Sequence, residues 1–300
     1  MIARWLAHAF VAAGLAGGIA FDASPSRPVE ERAGYRVLSG DFHMHTRVSD
    51  GVLSPCDLLL LARQRGLDVI AVTEHNSVFP SQLARACAKL VADAPVVLTG
   101  EEVTTLKFHL LALGVERDVD ARAAPIDIAN AVHEQGGVVI AAHPTRRYHE
   151  PLEPLCDQLD GVEVVHPLAF RGESGIGAWS DMVLFAQGPC GKDKAMIGNS
   201  DYHAGSVLGI VRTHVFVEEV SAAGVLDAIR DRRTVTIAPD GTAFGREDLV
   251  AGLAAAPLAE RPTDYGYQPS GSLDRITRAL GLVGFIILFV VGWRGRAAPD

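Results

Sequence analysis

Cysteine is scarce in this chain. Cys56, Cys87, Cys156 and Cys190 are the full complement, too few for a disulfide scaffold and without the CxxC spacing of a zinc ribbon. Buried free thiols are the default expectation for them, with pairing open if the compartment is oxidising. Basic charge is also in deficit. Lys and Arg number 27 against 36 Asp and Glu, a formal charge of −9, which argues against a nucleic-acid-binding module as the main activity and against a stable nucleic-acid partner. There is no internal repeat, and no low-complexity tract beyond an Ala-rich stretch near 251–258. A composition of 48% hydrophobic and 21% charged residues over 300 positions excludes a disordered chain and allows one or two domains. Histidine, by contrast, is abundant, with 11 residues.

Both ends are apolar. Trp5 to Phe21 carries no Asp, Glu, Lys or Arg, and residues 1–21 read as a signal peptide or membrane anchor, followed by a polar linker over 22–34. Near the other end, Ala279 to Trp293 is free of charge. At ~1.5 Å per residue it is about 22 Å long, or about 27 Å if it starts at Ile276 and Arg278 reaches to the interface. This predicts a transmembrane helix over 273–293 with a short tail at 294–300, reached through a tether over 246–272. The alternative is a buried C-terminal helix. With both ends hydrophobic, the simplest topology is membrane-anchored, with the middle of the chain on the extracytoplasmic, periplasmic side.

The middle, residues 35–245, alternates strand and helix. Val69-Ile70-Ala71-Val72, Val96-Val97-Leu98, Val138-Val139-Ile140, Val162-Glu163-Val164-Val165 and Met196-Ile197 are short apolar runs. Between them, helices are predicted over 54–65 (Ser54 as cap, Pro55 in the first turn, Gly66 as stop), 81–92, 126–135 and 221–230. Residues 102–107 and 108–114 read as an antiparallel hairpin. The alternation predicts an α/β fold with a mostly parallel sheet or barrel.

Polar residues follow each apolar run: Asp41-Phe42-His43-Met44-His45, Glu74-His75-Asn76, Gly100-Glu101-Glu102, His143-Pro144, His166, and Asn199-Ser200-Asp201-Tyr202-His203. In an α/β barrel the C-terminal ends of the strands share one face, so these distant residues become neighbours. His43 and His45, two apart on a strand, point the same way. One histidine at a strand end is usually a core or surface residue. Ligand types at one end after another point to a metal cluster, and mixed His, Asp and Glu suit Zn, Mn or Fe.

Asp41-Phe42-His43-Met44-His45-Thr46, Ser49-Asp50-Gly51 and Thr73-Glu74-His75-Asn76, then Gly100-Glu101-Glu102, His109-Leu110-Leu111-Ala112-Leu113-Gly114, Ala142-His143-Pro144 and Ser200-Asp201-Tyr202-His203, resemble in order the motifs of the polymerase and histidinol phosphatase (PHP) superfamily. The resemblance covers about residues 36 to 240. It implies a distorted (β/α)7 barrel of PHP type with two or three divalent metal ions and phosphoester hydrolysis. Carried over, His43, His45, Glu102 and Asp201 would hold one metal; Glu102 would bridge to a second held by His109 and His143; Asp50, His75 and His203 would hold a third. Glu102 fits the family spacing, with Glu101 beside it as the alternative. Glu74-His75 replaces the usual Asp-His, and His166 stands where Asn is common, leaving it a substrate contact, a support for the ligands or an ordinary strand-end residue.

The function expected from this is hydrolysis of a phosphorylated small molecule or nucleotide by a metal-bridging hydroxide, the metals lowering the pKa of water to as low as ~7. Glu102 and His203 would serve the reaction from the metal cluster. Arg146 and Arg147, directly after His143-Pro144, would bind non-bridging oxygens, with Tyr148 a weaker candidate. Two alternatives remain: another metallohydrolase reaction, on an amide or lactone, and a sensor that binds metal without catalysis. His8, His133, His149, His214 and Lys107 are expected to be bystanders, and residues 170–187 a loop.

Overall fold

The computed structural model describes residues 2–21, 29–259 and 272–294. The chain divides into two compact units, one spanning Arg27–Thr263 and one made of Met1–Ser26 together with Asp264–Asp300. Parts of the expected linker (22–28), tether (260–271) and tail (295–300) lie outside the described residues.

In chain order, helix α1 (Ile2–Phe21) is followed by strands β1 (Glu30–Arg32) and β2 (Tyr35–Asp41), helix α2 (Pro55–Gln64), β3 (Val69–Ala71), α3 (Phe79–Ala88), β4 (Val96–Leu98), β5 (Gly100–Thr104) and β6 (His109–Leu113). Next come α4 (Pro125–His133), β7 (Val138–Ala141), α5 (Arg146–Leu152), a 3-10 turn at Glu153–Leu155 and β8 (Gly161–Val165). Then α6 (Leu168–Arg171), β9 (Glu173–Ser174), β10 (Gly177–Ala178) and α7 (Trp179–Gln187) fill most of the segment expected to be loop. The rest is β11 (Ala195–Gly198), β12 (Thr213–Val217), α8 (Ala222–Arg230), β13 (Thr234–Ile237), β14 (Ala243–Gly245), α9 (Glu247–Ala255) and α10 (Ser272–Arg294).

Local chemistry explains the helix ends. Ser54 caps α2 by accepting the Asp57 N–H, with Pro55 at the first helical position where a missing N–H costs nothing. Ser221 caps α8 in the same way through Gly224. The strands form two sheets. One runs β14-β13-β12-β2-β3-β4 with β1 beside β2, the other β11-β8-β7-β6-β5. The pairs β2/β3, β3/β4, β7/β8 and β11/β8 are parallel, and the predicted hairpin forms as β5/β6. The sheet is less parallel than expected, because β12, β13 and β14 join antiparallel. Leu38, Phe42, Val69, Leu98, Leu111, Ile140 and Ile197 are fully or almost fully buried in one core cluster that draws on both sheets, and each contributes on the order of 1.5–3 kcal/mol by leaving water.

The expected (β/α)7 barrel does not close. The sheets meet through two isolated bridges, Met44 with Tyr202 and His75 with Glu102. At the first seam the His45 N–H donates to the Tyr202 carbonyl at 3.0 Å; at the second, Glu102 N–H donates to Glu74 O at 3.0 Å and Asn76 N–H to Glu102 O at 2.9 Å. A longer ladder is interrupted because Asn76 (φ 51°) and Asp201 (φ 43°) leave extended geometry beside the bridges, turning side chains away from the strand direction.

Other expectations are also corrected. Residues 247–255, expected as tether, form α9, whose Leu249 and Leu253 pack on Val37, Phe216 and Val235. The cysteines are paired rather than free: Cys56 with Cys87 and Cys156 with Cys190, at Cα separations of 5.7 and 4.5 Å that suit a disulfide. The first bridge joins the last turn of α3 to the first turn of α2; the second joins the turn after Glu153–Leu155 to the segment after α7.

In the terminal unit, α1 and α10 approach backbone to backbone; a Cβ built on Gly14 would lie 2.6 Å from the Gly281 Cα, and one on Gly284 2.6 Å from the Ala7 carbonyl oxygen. The C-terminal apolar run is thus helical, but among the described residues no helix is long and apolar enough to cross a membrane. The charged Asp274, Arg275 and Arg278 fall in the first turns of α10, and the transmembrane expectation for 273–293 is not supported.

The two bridges close loops of 31 and 34 residues, for which cross-linking stabilises by roughly 2–4 kcal/mol each. Reduction of the full chain, verified by thiol titration, is expected to lower the urea midpoint accordingly; an unchanged midpoint would contradict the pairing.

Candidate metal centre

The centre lies where the two sheets meet. His43 and His45 follow β2 directly, and both are fully buried. Asp41 ties this end down: its carboxylate accepts N–H bonds from Ser200 (3.1 Å), Gly209 (3.0 Å) and His43 (3.4 Å). Burial pushes its pKa up to about 6 despite these bonds. Asp50 is delivered by the loop after His45, and Gly51 is required there because a Cβ would collide with the His45 carbonyl.

Glu102 is the hub. Its carboxylate is 1% exposed and lies 2.8 Å from the Nδ1 atoms of both His75 and His109, 3.1 Å from His143 Nε2, and 3.5 Å from the Nε2 atoms of His43 and His45. Glu101, next along β5, points to the opposite face, where it accepts the Val119 N–H at 2.5 Å. Burial, with only that bond opposing it, raises Glu101 to about 7. Asp201 is the second focus. Its Oδ1 is 3.1 Å from His43 Nε2 and 3.4 Å from His45 Nε2, and its Oδ2 is 3.1 Å from His166 Nε2. Asp50 Oδ2 stands 3.2 Å from His203 Nε2 and 3.4 Å from His75 Nε2 at the open side.

Three sets of donor atoms lie within 4.8 Å of one another: His45, Asp50, His75 and His203; His43, Glu102 and His143; and His43, His45 and Asp201. The nine residues named as ligands from the sequence are therefore brought together, with differences in grouping. His45 also joins the Asp50 set, His43 joins Glu102 and His143, Glu102 is not in the set of His43, His45 and Asp201, and His109 is placed against Glu102 Oε1 rather than within one of the three sets. Of the two arginines, Arg147 reaches the rim. Its Nη2 donates to Tyr148 Oη at 2.7 Å and its Cζ lies 4.5 Å above the Tyr148 ring, which is 5.4 Å from the His109 ring and 5.9 Å from that of His143. Both arginines are exposed, and the backbone N–H of Arg146 donates to Asp181.

Sequence reasoning missed Glu163 and Asn199. Glu163 accepts hydrogen bonds from His43 Nδ1 and Asn199 Nδ2, and the signal was a lone charge inside the apolar run 162–165. Glu74 receives Thr46 and Ser49 and stands 3.7 Å from His45 Nδ1.

The donor set can be tested against divalent ions from its own bonding. His43 Nε2, both ring nitrogens of His45, His143 Nδ1 and Asp201 Oδ1 are buried and have no hydrogen-bond partner. Such atoms are costly unless something satisfies them, and mixed imidazole and carboxylate donors fit Zn, Mn or Fe. With protons as the only counter-charge, burial would raise Glu102, but the His43 charge and hydrogen bonds from His109 and His143 hold it well below the usual carboxylate range. Asp201 is held low in the same way by His43, His166 and His45 against its burial. Burial would lower His45, yet Asp201, Glu74 and Glu102 lift it to about 9. His43 is raised too, the charges of Asp201, Glu163 and Glu102 outweighing burial.

A histidine raised in the folded state contributes stability that is complete below 6.5 and is lost as pH climbs, for His45 through about 9. The lowered carboxylates contribute above their ordinary values and lose that contribution in acid. Metal ligation needs neutral imidazole and so strengthens over the window where the proton-held form weakens. The metal-free chain is therefore expected to lose melting temperature from pH 6.5 to 9, while the gain on adding Mn grows; a metal-free melting temperature that rises over this range would contradict the assignment. Glu102→Gln is expected to weaken metal binding by about 100-fold or more with the fold kept, and Glu101→Gln to leave metal content unchanged, both read by elemental analysis.

No family model matches the sequence. An uncharacterized protein of Methanocaldococcus jannaschii is 29% identical over 143 residues, 42% of this chain and 81% of that protein. A 5'-3' exoribonuclease of Haemophilus influenzae is 30% identical over 104 residues, 33% of this chain and 37% of the enzyme, so the chain spans little more than a third of that relative's length. Among solved structures, a two-domain protein of Bacteroides vulgatus described as containing a predicted PHP-like metal-dependent phosphoesterase superposes with a TM-score of 0.63 at 24% identity, covering 78% of this chain and 74% of that one. The mixed α/β architecture, with its two sheets meeting at the histidines, is thus similar to that PHP-like fold, without the closed barrel that the motifs led us to expect.

Proposed function

We propose that the chain is a metal-dependent phosphoesterase that works in an oxidising, extracytoplasmic compartment. The observation that carries the chemistry is the convergence of buried, unpartnered donors, His43 Nε2, His45 Nδ1 and Nε2, His143 Nδ1 and Asp201 Oδ1, on one place. Two or three divalent ions, Mn, Zn or Fe, would be held there by His43, His45, Asp50, His75, Glu102, His109, His143, Asp201 and His203. When bound, such ions supply Lewis-acid charge to a phosphoryl group and make water a stronger acid.

The remaining work belongs to side chains. His43, Glu102 and His143 close the back of the site to water, while Asp50, His75 and His203 form its open edge. Arg147, stacked on Tyr148, is fixed at the rim with N–H groups left for non-bridging phosphoryl oxygens, to which a guanidinium binds as a fork. That placement favours a phosphoester over an amide or lactone, neither of which brings an anion for it. The likeness to an exoribonuclease adds short RNA to the substrates worth testing. The two disulfides support the oxidising compartment, since such bridges persist where thiols are not kept reduced.

The test is turnover by the Mn- or Zn-loaded chain on phosphomonoesters, phosphodiesters, nucleotides and short oligoribonucleotides. Loss of all turnover with chelator and its return with metal is expected. A metal-loaded chain inert on the whole panel, yet active on an amide or lactone, would overturn the reading. Arg147→Ala is expected to lower kcat/KM by roughly 10- to 100-fold, the worth of a charge-assisted hydrogen bond, and Arg146→Ala to change it only a few-fold; the reverse order would remove Arg147 from the site.

A further inference from the structure

Strand β8 supplies no member of the three donor sets, yet it carries a carboxylate at their back. Glu163 is fully buried and takes up three N–H groups from three different parts of the fold. Its Oε1 accepts from His43 Nδ1 at 2.9 Å and from Asn199 Nδ2 at 2.7 Å; its Oε2 accepts from the His143 backbone N–H at 2.5 Å. Asn199 passes the connection on, its Oδ1 accepting the Phe42 N–H at 2.7 Å. The ends of β2, β7 and β11 are thus tied to one side chain.

We propose that Glu163 is the positioning residue of the metal centre: it keeps the proton of the His43 imidazole on Nδ1, so that Nε2 faces the ions, and it pins His143 in its turned backbone. This rests on the metal-dependent reading above. Two features of the geometry argue for it. First, His43 Nε2 is the unpartnered nitrogen and Nδ1 the partnered one, and the bond made by one ring nitrogen decides which nitrogen is free to ligate. Second, His143 sits at φ 27°, a conformation that costs a non-glycine residue on the order of 1–3 kcal/mol unless its surroundings fix it; the short bond from its N–H to Glu163 does so. Only an acceptor-only side chain serves all three donors. A glutamine would turn an NH2 group toward at least one N–H, and an aspartate would fall a methylene short.

The experiment compares the full chain with Glu163→Gln. Binding of Mn and Zn is measured by calorimetry, and the histidine ring nitrogens of the Zn-loaded protein are assigned by NMR. In loaded wild type, His43 is expected to retain the Nδ1 proton, with Nε2 on the metal. Glu163→Gln is expected to keep a cooperative melt, to bind metal about 10- to 100-fold more weakly, and to lose the hydrogen-bonded Nδ1 proton signal. Wild-type affinity in Glu163→Gln together with an unchanged His43 signal overturns the proposal and leaves the metal centre standing. Ligation through Nδ1 in loaded wild type overturns it whatever the variant does, including if that variant fails to fold. A wild-type chain that binds neither metal removes the metal centre itself, and the proposal with it.

Discussion

The structure is organised around one electrostatic constraint: carboxylates and imidazoles buried together must be neutralised where they stand. Glu102, Glu163 and the Oδ1 atom of Asp201 lie out of water with His43, His45 and His143 around them. An isolated buried ion costs several kcal/mol, and six of them in one place are tolerable only if each has a counter-charge within reach. Protons can play that part, as the raised histidines and lowered carboxylates indicate. Divalent ions do so more completely, because they also satisfy the ring nitrogens that no hydrogen bond reaches. The two short bridges between sheets, and the left-handed backbone at Asn76, His143 and Asp201, are what this convergence demands of the chain. A regular ladder would carry the side chains past the centre rather than into it.

Much of this was legible in the sequence because it is written in local signals. The spacing of His43 and His45 fixes their common side, since alternate residues of a strand share a face. Ser54-Pro55 and Ser221 announce helix starts, and the break between Glu102 and His109 announces the β5/β6 hairpin. What was hidden depends on contacts between distant parts of the chain. The pairing of Cys56 with Cys87 requires α2 and α3 to lie side by side, which no spacing rule states. The antiparallel β12–β14 and the packing of α9 follow from which sheet edge is free, and that too is a property of the assembled fold. Glu163 looked like an interruption of an apolar strand until its three donors came together. The failure of the barrel to close has the same origin, because it turns on backbone angles at the site rather than on the alternation of strand and helix.

For the phosphoester substrate proposed above, the site would also set conditions on capture. With a formal charge of −9, the chain as a whole repels phosphate, and only a local reversal of sign can draw it in. At physiological ionic strength charges more than ~8 Å apart are largely screened, so the distant acidic surface matters less than what lines the mouth. There Asp50 is the exposed carboxylate, and it faces His75 and His203. Held by those imidazoles or by a metal, it no longer presents a free negative charge to an incoming phosphoryl group. Arg147, stacked on the Tyr148 ring that lies beside His109 and His143, is an oriented cation on the side of those two histidines. On the proposed function, occupation of the centre by divalent ions and recognition of a phosphoryl group would be linked through the mouth: the more fully the imidazoles and carboxylates are engaged by metal, the more the local field would favour an anion over the repulsion of the rest of the molecule.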